Sequence, residues 1–439
     1  LSNTHKRRQH VGNKTYTGEA MANSVERKEN RVIVTGEIYD FHRLLAQIHH
    51  IIEKLGYSEV VLDLGKCEKA YQNSMLSVCA QVMAYRNAGV VFQIVPPTEK
   101  LLLNLFVSNN WAHLLDPVAF APSVFKGHTR IPATQYKTPS EQQAAVNKIV
   151  NVMLGAIPEM ERSDFEAFEW SINELTDNVL VHSQSTVGGL VQVSTFVKYR
   201  KRIQFVVADA GIGIPASLRS GRSDVGSDTE ALDMAIREGV TRDSSVGQGN
   251  GMFGSYEICS KSKGDILIDS GYARLKYDPN VGLSIKDQAV PYAGTLIVAT
   301  LDFSDPGLLE DALRFRGVKH SPFGYVEAKY ESNADGDIYF KLVDESTSFG
   351  SRVSGKPVRL KLDNLLKMSV DRMVSVDFEG VPILSSSFAD EVFGKLFLSI
   401  GPIKFLRRVK LVNMRETVEG LVNKAIEQRM KVGISDADE

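Results

Sequence analysis

Four short motifs in the middle third of this 439-residue chain hold the residue types that could do chemistry together. The first is Asn173-Glu174-Leu-Thr-Asp177-Asn178-Val-Leu-Val-His182. Phe168, Ile172, Leu175 and Val179 recur there at helical steps, so the stretch is expected to form an amphipathic helix. Glu174 and Asn178 then lie one turn apart on the flank of the apolar stripe. A carboxylate so placed can activate a water or hydroxyl, and the amide can offer an oxygen to Mg²⁺. A surface helix with ordinary polar residues would read the same way.

The second motif, Val206-Val207-Ala208-Asp209-Ala210-Gly211-Ile-Gly213-Ile214-Pro215, is a strand running into a glycine turn. Asp209 could accept a hydrogen bond from an exocyclic amine, while Gly211 and Gly213 let backbone pass beneath a planar base. The third, Gly247-Gln-Gly249-Asn-Gly251-Met-Phe-Gly254, would present successive N–H groups to phosphates and feed a helix N-terminus. It contains a G-x-G-x-x-G spacing, with Asp269 about 20 residues on. The dinucleotide fingerprint must follow a strand, however, and the preceding Glu230 to Glu238 reads as helix. The fourth, Gly294-Thr295, opens the strand Leu296-Ile-Val-Ala-Thr-Leu301.

These motifs need scaffolding, and the pattern around them is α/β throughout. Ahead of them, Arg31 to Gly36, Val60 to Leu64 and Val90 to Val95 are strand candidates. Leu44, Leu45, Ile48, Ile51, Ile52 and Leu55 fall at helical spacing, and Thr98 offers an N-cap to a helix through Phe106. Pro122 to Pro139 reads as a linker, and Thr138-Pro139-Ser140-Glu141 has the capping-box pattern. Beyond Phe303 a Gly-, Asp- and Ser-rich stretch precedes a last α/β segment. Its expected strands are Asp337 to Leu342, Pro357 to Leu362, Met373 to Phe378 and Arg408 to Val412. Helices are expected from Ser387 to about Leu398 and from Glu416 to about Met430. Val60-Val-Leu-Asp63 leading to Asn73-Ser74 is echoed by Val374-Ser-Val-Asp377 leading to Ser385-Ser386-Ser387. Any strand-loop-helix unit gives such an echo, so duplication is one of two readings.

Composition narrows the function. Lys plus Arg number 51 against 53 Asp plus Glu, a formal net charge of -2, so coating nucleic acid or a membrane surface is not the expected task. Cys67, Cys79 and Cys259 stand far apart, which argues against a disulfide framework or structural zinc and for a reducing compartment. No apolar run approaches the roughly 20 residues of a membrane span. Leu1 to Asn30 is polar and basic without an apolar core, so it reads as a tail, with Met21 an alternative start. A cytoplasmic location is the expectation.

In order and spacing the four motifs resemble the GHKL ATPases, the group of gyrase, heat-shock chaperones, histidine kinases and MutL. The resemblance covers about Thr138 to Phe303. It implies an α/β (α+β sandwich) domain, helices on a mixed sheet, holding ATP and Mg²⁺ beneath a lid. It makes Asn178 the Mg²⁺ ligand and Glu174 the general base, and Asp209 the partner of the adenine amine. Gly211 and Gly213 would line the base, Gly247, Gly249 and Gly251 would wrap the phosphates, and Thr295 would support Asp209. His182 would stand near the phosphates, and Pro215 to Val246 would form the lid.

No His precedes the motif helix between Ala144 and Glu169, which disfavours a sensor histidine kinase; the Glu-x-x-x-Asn pattern looks most like the anti-sigma-factor serine kinases. The flanking segments, 31–128 and 337–431, resemble STAS domains, the substrates of such kinases, joined by a linker over 304–336. Ser386 then falls at the phospho-acceptor position, although Ser385 replaces the usual acid and Phe388 the usual Gly. At the matching place in the first unit only Asn73-Ser74 remains, followed by Met75. A helix-capping role explains these serines as well. Two functions follow as expectations. One is Mg-dependent phosphorylation of a protein serine, in a STAS domain or in a regulatory partner. The other is slow ATP hydrolysis gating how the STAS domains meet partners. A homodimer is compatible with either.

Overall fold

The computed structural model describes residues 24–435 apart from 40, 126–129, 197–200, 238, 241–250, 306, 308, 310–311, 316–317, 320–323 and 332–335. With 47% helix and 27% strand in several sheets, the chain is mixed α/β, as expected. The first unit holds β1 (Ser24–Lys28), β2 (Arg31–Ile38), β3 (Glu59–Ala70) and β4 (Val91–Val95), in that order across one sheet. β1 runs antiparallel to β2, and β2, β3 and β4 are parallel. Helices α1 (Phe41–His49), α2 (Gln72–Asn87), α3 (Lys100–Ser108) and α4 (Trp111–Leu115) complete it. β1 occupies part of the stretch expected to be tail. The helix expected after Thr98 forms, but Glu99 is its cap, accepting from Leu101 N and Leu102 N; Thr98 Oγ1 instead donates to Gly65 O. The longer carboxylate reaches both N–H groups at once, which one hydroxyl cannot.

The central unit contains β5 (Arg130–Tyr136), α5 (Pro139–Ala156), α6 (Arg162–His182), β6 (Gly189–Phe196) and β7 (Arg202–Asp209). It continues with α7 (Gly213–Arg219), α8 (Asp228–Ala235), α9 (Gly251–Lys261), β8 (Asp265–Asp278) and β9 (Gly282–Asp302). Its strands pair antiparallel in the order β5-β6-β7-β9-β8. β5 lies within the expected linker, where Ile131 and Ala133 are buried against the sheet. Thr138 and Glu141 make the expected capping box at α5.

Both faces of this sheet are covered. Ile203, Phe205 and Val207 point to the helix layer with Ile297, Ala299 and Leu301. The intervening Val206, Ala208, Leu296 and Val298 pack in one core with Met75, Val78 and Val82 of α2. The first unit therefore lies on the second face of the central sheet. Polar pairs key the join: Trp111 Nε1 donates to Gln192 Oε1 at 2.8 Å, and Ser194 Oγ to Gln72 Oε1 at 2.9 Å.

The segment expected as a linker contains the short strands β10 (Arg314–Phe315) and β11 (Val318–Lys319) and helix α10 (Tyr325–Tyr330). The last unit follows with β12 (Ile338–Lys341), α11 (Leu342–Glu345), α12 (Arg352–Met368), β13 (Val374–Asp377) and α13 (Ser386–Ala389). A π turn at Asp390–Gly394, α14 (Lys395–Ile400), α15 (Pro402–Arg408), β14 (Val409–Val412) and α16 (Glu416–Ser435) end it. β12, β13 and β14 are parallel and in chain order, the same topology as β2, β3 and β4. One expected strand is wrong: Pro357 to Leu362 lies inside α12. Val358, Leu362, Leu365 and Leu366 recur at helical steps and are buried, and Ser351 caps the first turn. Six residues of apparent alternation were too few to separate the two periods. This unit packs on the helix layer through α12 and α5. Asn364 Nδ2 donates to Leu154 O at 2.9 Å and Ile157 O at 2.7 Å, and its Oδ1 accepts from Met160 N at 3.1 Å.

Candidate functional site

Helix α6 forms because Phe165, Phe168, Ile172, Leu175 and Val179 bury one stripe against the sheet. Glu174, Asn178 and His182 follow along its half-buried flank at steps of one turn. α9 packs beside α6, joined by the buried Ser171 Oγ to Ser255 Oγ hydrogen bond at 3.1 Å. Its first residue, Gly251, faces Glu174 and Asn178. A β-carbon there would lie 2.5 Å from Glu174 Oε2 and 3.4 Å from Asn178 Nδ2. Burial raises the Glu174 carboxyl above the ordinary glutamate range, helped by the nearby Asp177 charge. A carboxyl with a raised pKa is better suited to take a proton.

The second half of the site is at the end of β7 and the middle of β9. Asp209 is 1% exposed at the end of β7, and burial pushes its carboxyl up to about 7. Gly211 N donates to its Oδ1 at 2.7 Å, and the Thr295 N–H also reaches the carboxylate. A carboxylate has about four acceptor positions, so capacity for a further donor remains. Thr295 supports Asp209 through its backbone N–H, while its hydroxyl lies 3.3 Å from Ser270 Oγ. Ser270 was not legible as a site residue. Its Oγ accepts from Ile214 N at 2.9 Å and donates to Gly294 O at 2.7 Å, tying the glycine turn to β9.

Gly213 has φ +77°, and a side chain there would meet Ser270 Oγ at 2.6 Å and Gly294 O at 2.8 Å. Gly211 is likewise closed off, against Ser183 at the end of α6. The two glycines are thus demanded by the turn itself, whatever it binds. Gly247 and Gly249 lie outside the described residues. The described part of the expected lid is docked: Leu218, Val225 and Ala231 form its own small core. Asp228 fixes it by accepting Tyr272 N at 2.7 Å and pairing with Arg219 at 2.7 Å. Among the described residues no three His, Cys, Asp or Glu side chains cluster as a metal site.

Ser386 is remote in sequence and sits in the last unit. Residues 354–419 match a STAS-like domain of unknown function (DUF4325). The chain carries a STAS-like domain. The match leaves the central and first units uncovered, and no curated protein matches the chain. Within the STAS-like domain the three serines differ. Ser385 Oγ caps α13 by accepting from Phe388 N at 3.0 Å and is 3.0 Å from Ser387 Oγ. Ser386 is exposed and opens on a surface pocket lined by Arg352, Asp390, Gln428, Arg429 and Lys431. Arg429 and Arg352 are held there by Asp390, at 2.6 and 2.8 Å. Ser74 in the first unit is fully buried, its Oγ donating to Tyr39 O at 3.1 Å. That burial excludes Ser74 as an acceptor in this arrangement. Among the described residues no helix is long and apolar enough to cross a membrane.

Proposed function

We propose that the chain is an ATP-binding regulatory protein whose central unit transfers the γ-phosphoryl group to a protein serine. The observation that carries this reading is the convergence of Glu174, Asn178 and Gly251 where helices α6 and α9 meet. The buried, under-occupied Asp209 carboxylate supplies the complement at the end of the central strand β7. Asn178 would hold Mg²⁺ jointly with phosphate oxygens, and Glu174 would accept the proton of the attacking hydroxyl. Bound Mg²⁺ would neutralise charge on the transferring group. Asp209 would take the adenine amine, with Gly213 closing beneath the base. The first α/β unit is read as a second STAS-like unit on its shared strand order.

A specific feature also favours an ATP-gated switch. Both flanking units are hydrogen-bonded to the central one, so closure around nucleotide would be felt at both joins. The experiment that separates the readings uses Mg²⁺ and ATP labelled at the γ-phosphate, following free phosphate and protein-bound label together. Label on the protein that is lost in Ser386→Ala supports the kinase. Free phosphate alone supports the switch. Asn178→Ala should abolish Mg-dependent binding or turnover, and Glu174→Ala should bind ATP without turning it over. Full activity in either variant would sink the site assignment.

A further inference from the structure

The first unit reaches the back of the base-recognition end of the site through four consecutive residues. Tyr292, 1% exposed, sends its hydroxyl to Asp209 O at 2.9 Å. Ala293 O accepts from Gln81 Nε2 of α2. Gly294, at φ +104°, lies against the Asp209 carbonyl, and Thr295 N reaches the Asp209 carboxylate. Gln81 of α2 also donates to the Tyr292 hydroxyl, with Ser77 beside it, and both are buried. The Tyr292 ring stands edge-on to Phe41, at 5.8 Å between centroids, and Phe41 stacks on His42 at 4.3 Å. His42 Nε2 is 3.4 Å from Asp269 Oδ2, one residue from Ser270. Tyr292 and Ala293 of this segment therefore meet the first unit, and its inner side holds Asp209.

We infer that Tyr292 is a positioning residue for base recognition, and that Gln81 of the first unit sets it. This rests on the nucleotide reading of the central unit. The Gln81 side chain fixes Tyr292 and Ala293; these fix Gly294 and Thr295; and those place the Asp209 carboxylate and the turn through Gly213. Loosening the outer contacts lets the Asp209 acceptor wander while Glu174, Asn178 and Gly251, on other elements, stay where they are. The energetic consequence falls on the base and not on the phosphates.

The test compares Tyr292→Phe, Gln81→Leu and the double variant in the full chain, after confirming cooperative unfolding of each. ATP and inorganic tripolyphosphate, both with Mg²⁺, are the probes. Each single variant should bind ATP about tenfold more weakly, the loss expected when a buried acceptor is left without its donor. Tripolyphosphate affinity should be unchanged, and the double variant should lose less than the product of the singles because both act through one segment. Equal ATP affinity in all forms overturns the inference and leaves the nucleotide site intact. Parallel loss of both probes also overturns it, since the segment would then be general scaffold. A wild-type protein that binds tripolyphosphate and not ATP, or neither, removes the nucleotide reading and the inference with it.

Discussion

Gly251 touches Glu174: at the first residue of α9, any β-carbon would stand 2.5 Å from the glutamate Oε2. That approach places the N-terminus of one helix against the carboxylate of another, and only a residue without a side chain permits it. The obstructed atom is the far end of a flexible side chain, so the fold can yield where the chemistry cannot. Gly251→Ala should leave thermal unfolding close to wild type, because alanine favours a helix start at least as well as glycine. Turnover should fall by about tenfold to a hundredfold as Glu174 is pushed aside. Steady-state phosphate release beside a melting curve checks both; unchanged turnover would remove Glu174 from the reaction.

Asp209 makes a separate prediction about pH. Its carboxyl titrates at about 7 because burial opposes the charge, while the Gly211 and Thr295 N–H groups favour it. Only the ionised form accepts an amine with both oxygens, so ATP affinity should weaken as pH falls through neutrality. Asp209→Asn should weaken ATP binding by about 1–3 kcal/mol and flatten that dependence. Calorimetric titration of both proteins across neutral pH is the measurement. A variant that keeps the wild-type slope would assign the titration to another group.

Much of this was written in the sequence, for a physical reason. Phe205-Val-Val-Ala208 and Leu296-Ile-Val-Ala-Thr-Leu301 are continuous apolar runs rather than alternating ones, and both faces of their sheet prove to be covered. Glu174, Asn178 and Asp209 were legible because helical spacing and a strand end fix where such side chains go. Tyr292 and Ser270 were not, since their roles depend on which strands pair and on a unit docked from far along the chain. Helix α12 was misread because Val358, Leu360 and Leu362 alternate over a window shorter than two turns. The Thr98 cap failed for a local reason: a neighbouring glutamate competes better for the same N–H groups.

Asn364 tests whether the STAS-like domain and the central unit fold as one body. It is fully buried in α12 and satisfies two carbonyls at the end of α5 and the Met160 N–H beyond it. Leu154 and Ile157 have no later helical turn to bond to, so the amide stands in for one. Asn364→Leu keeps the branched shape and abandons three buried backbone groups. It should cost about 3 kcal/mol in a denaturant titration. A loss within error would mean that the join opens readily and that water replaces the amide.

Glu169 gives the last prediction, on stability against pH. It lies on the buried side of α6, 3% exposed, with Oε1 accepting Tyr325 N at 2.9 Å. Its Oε2 is buried without a hydrogen-bond partner among the described residues. Burial is the main reason its carboxyl rises from the ordinary 4.5 to about 8, against the Tyr325 N–H and the Arg162 charge. In that window the folded chain holds a proton that the unfolded chain has released. Stability therefore falls as pH rises from 4.5 towards 8 and levels off above it, with a slope of up to about 1.4 kcal/mol per pH unit. Glu169→Gln keeps the acceptor for Tyr325 and cannot ionise, so its denaturation midpoint should lose that slope and exceed wild type most at alkaline pH. Midpoints of the two proteins that run parallel across the range would show that Glu169 ionises freely, and that α10 is not held to α6 through a neutral carboxyl.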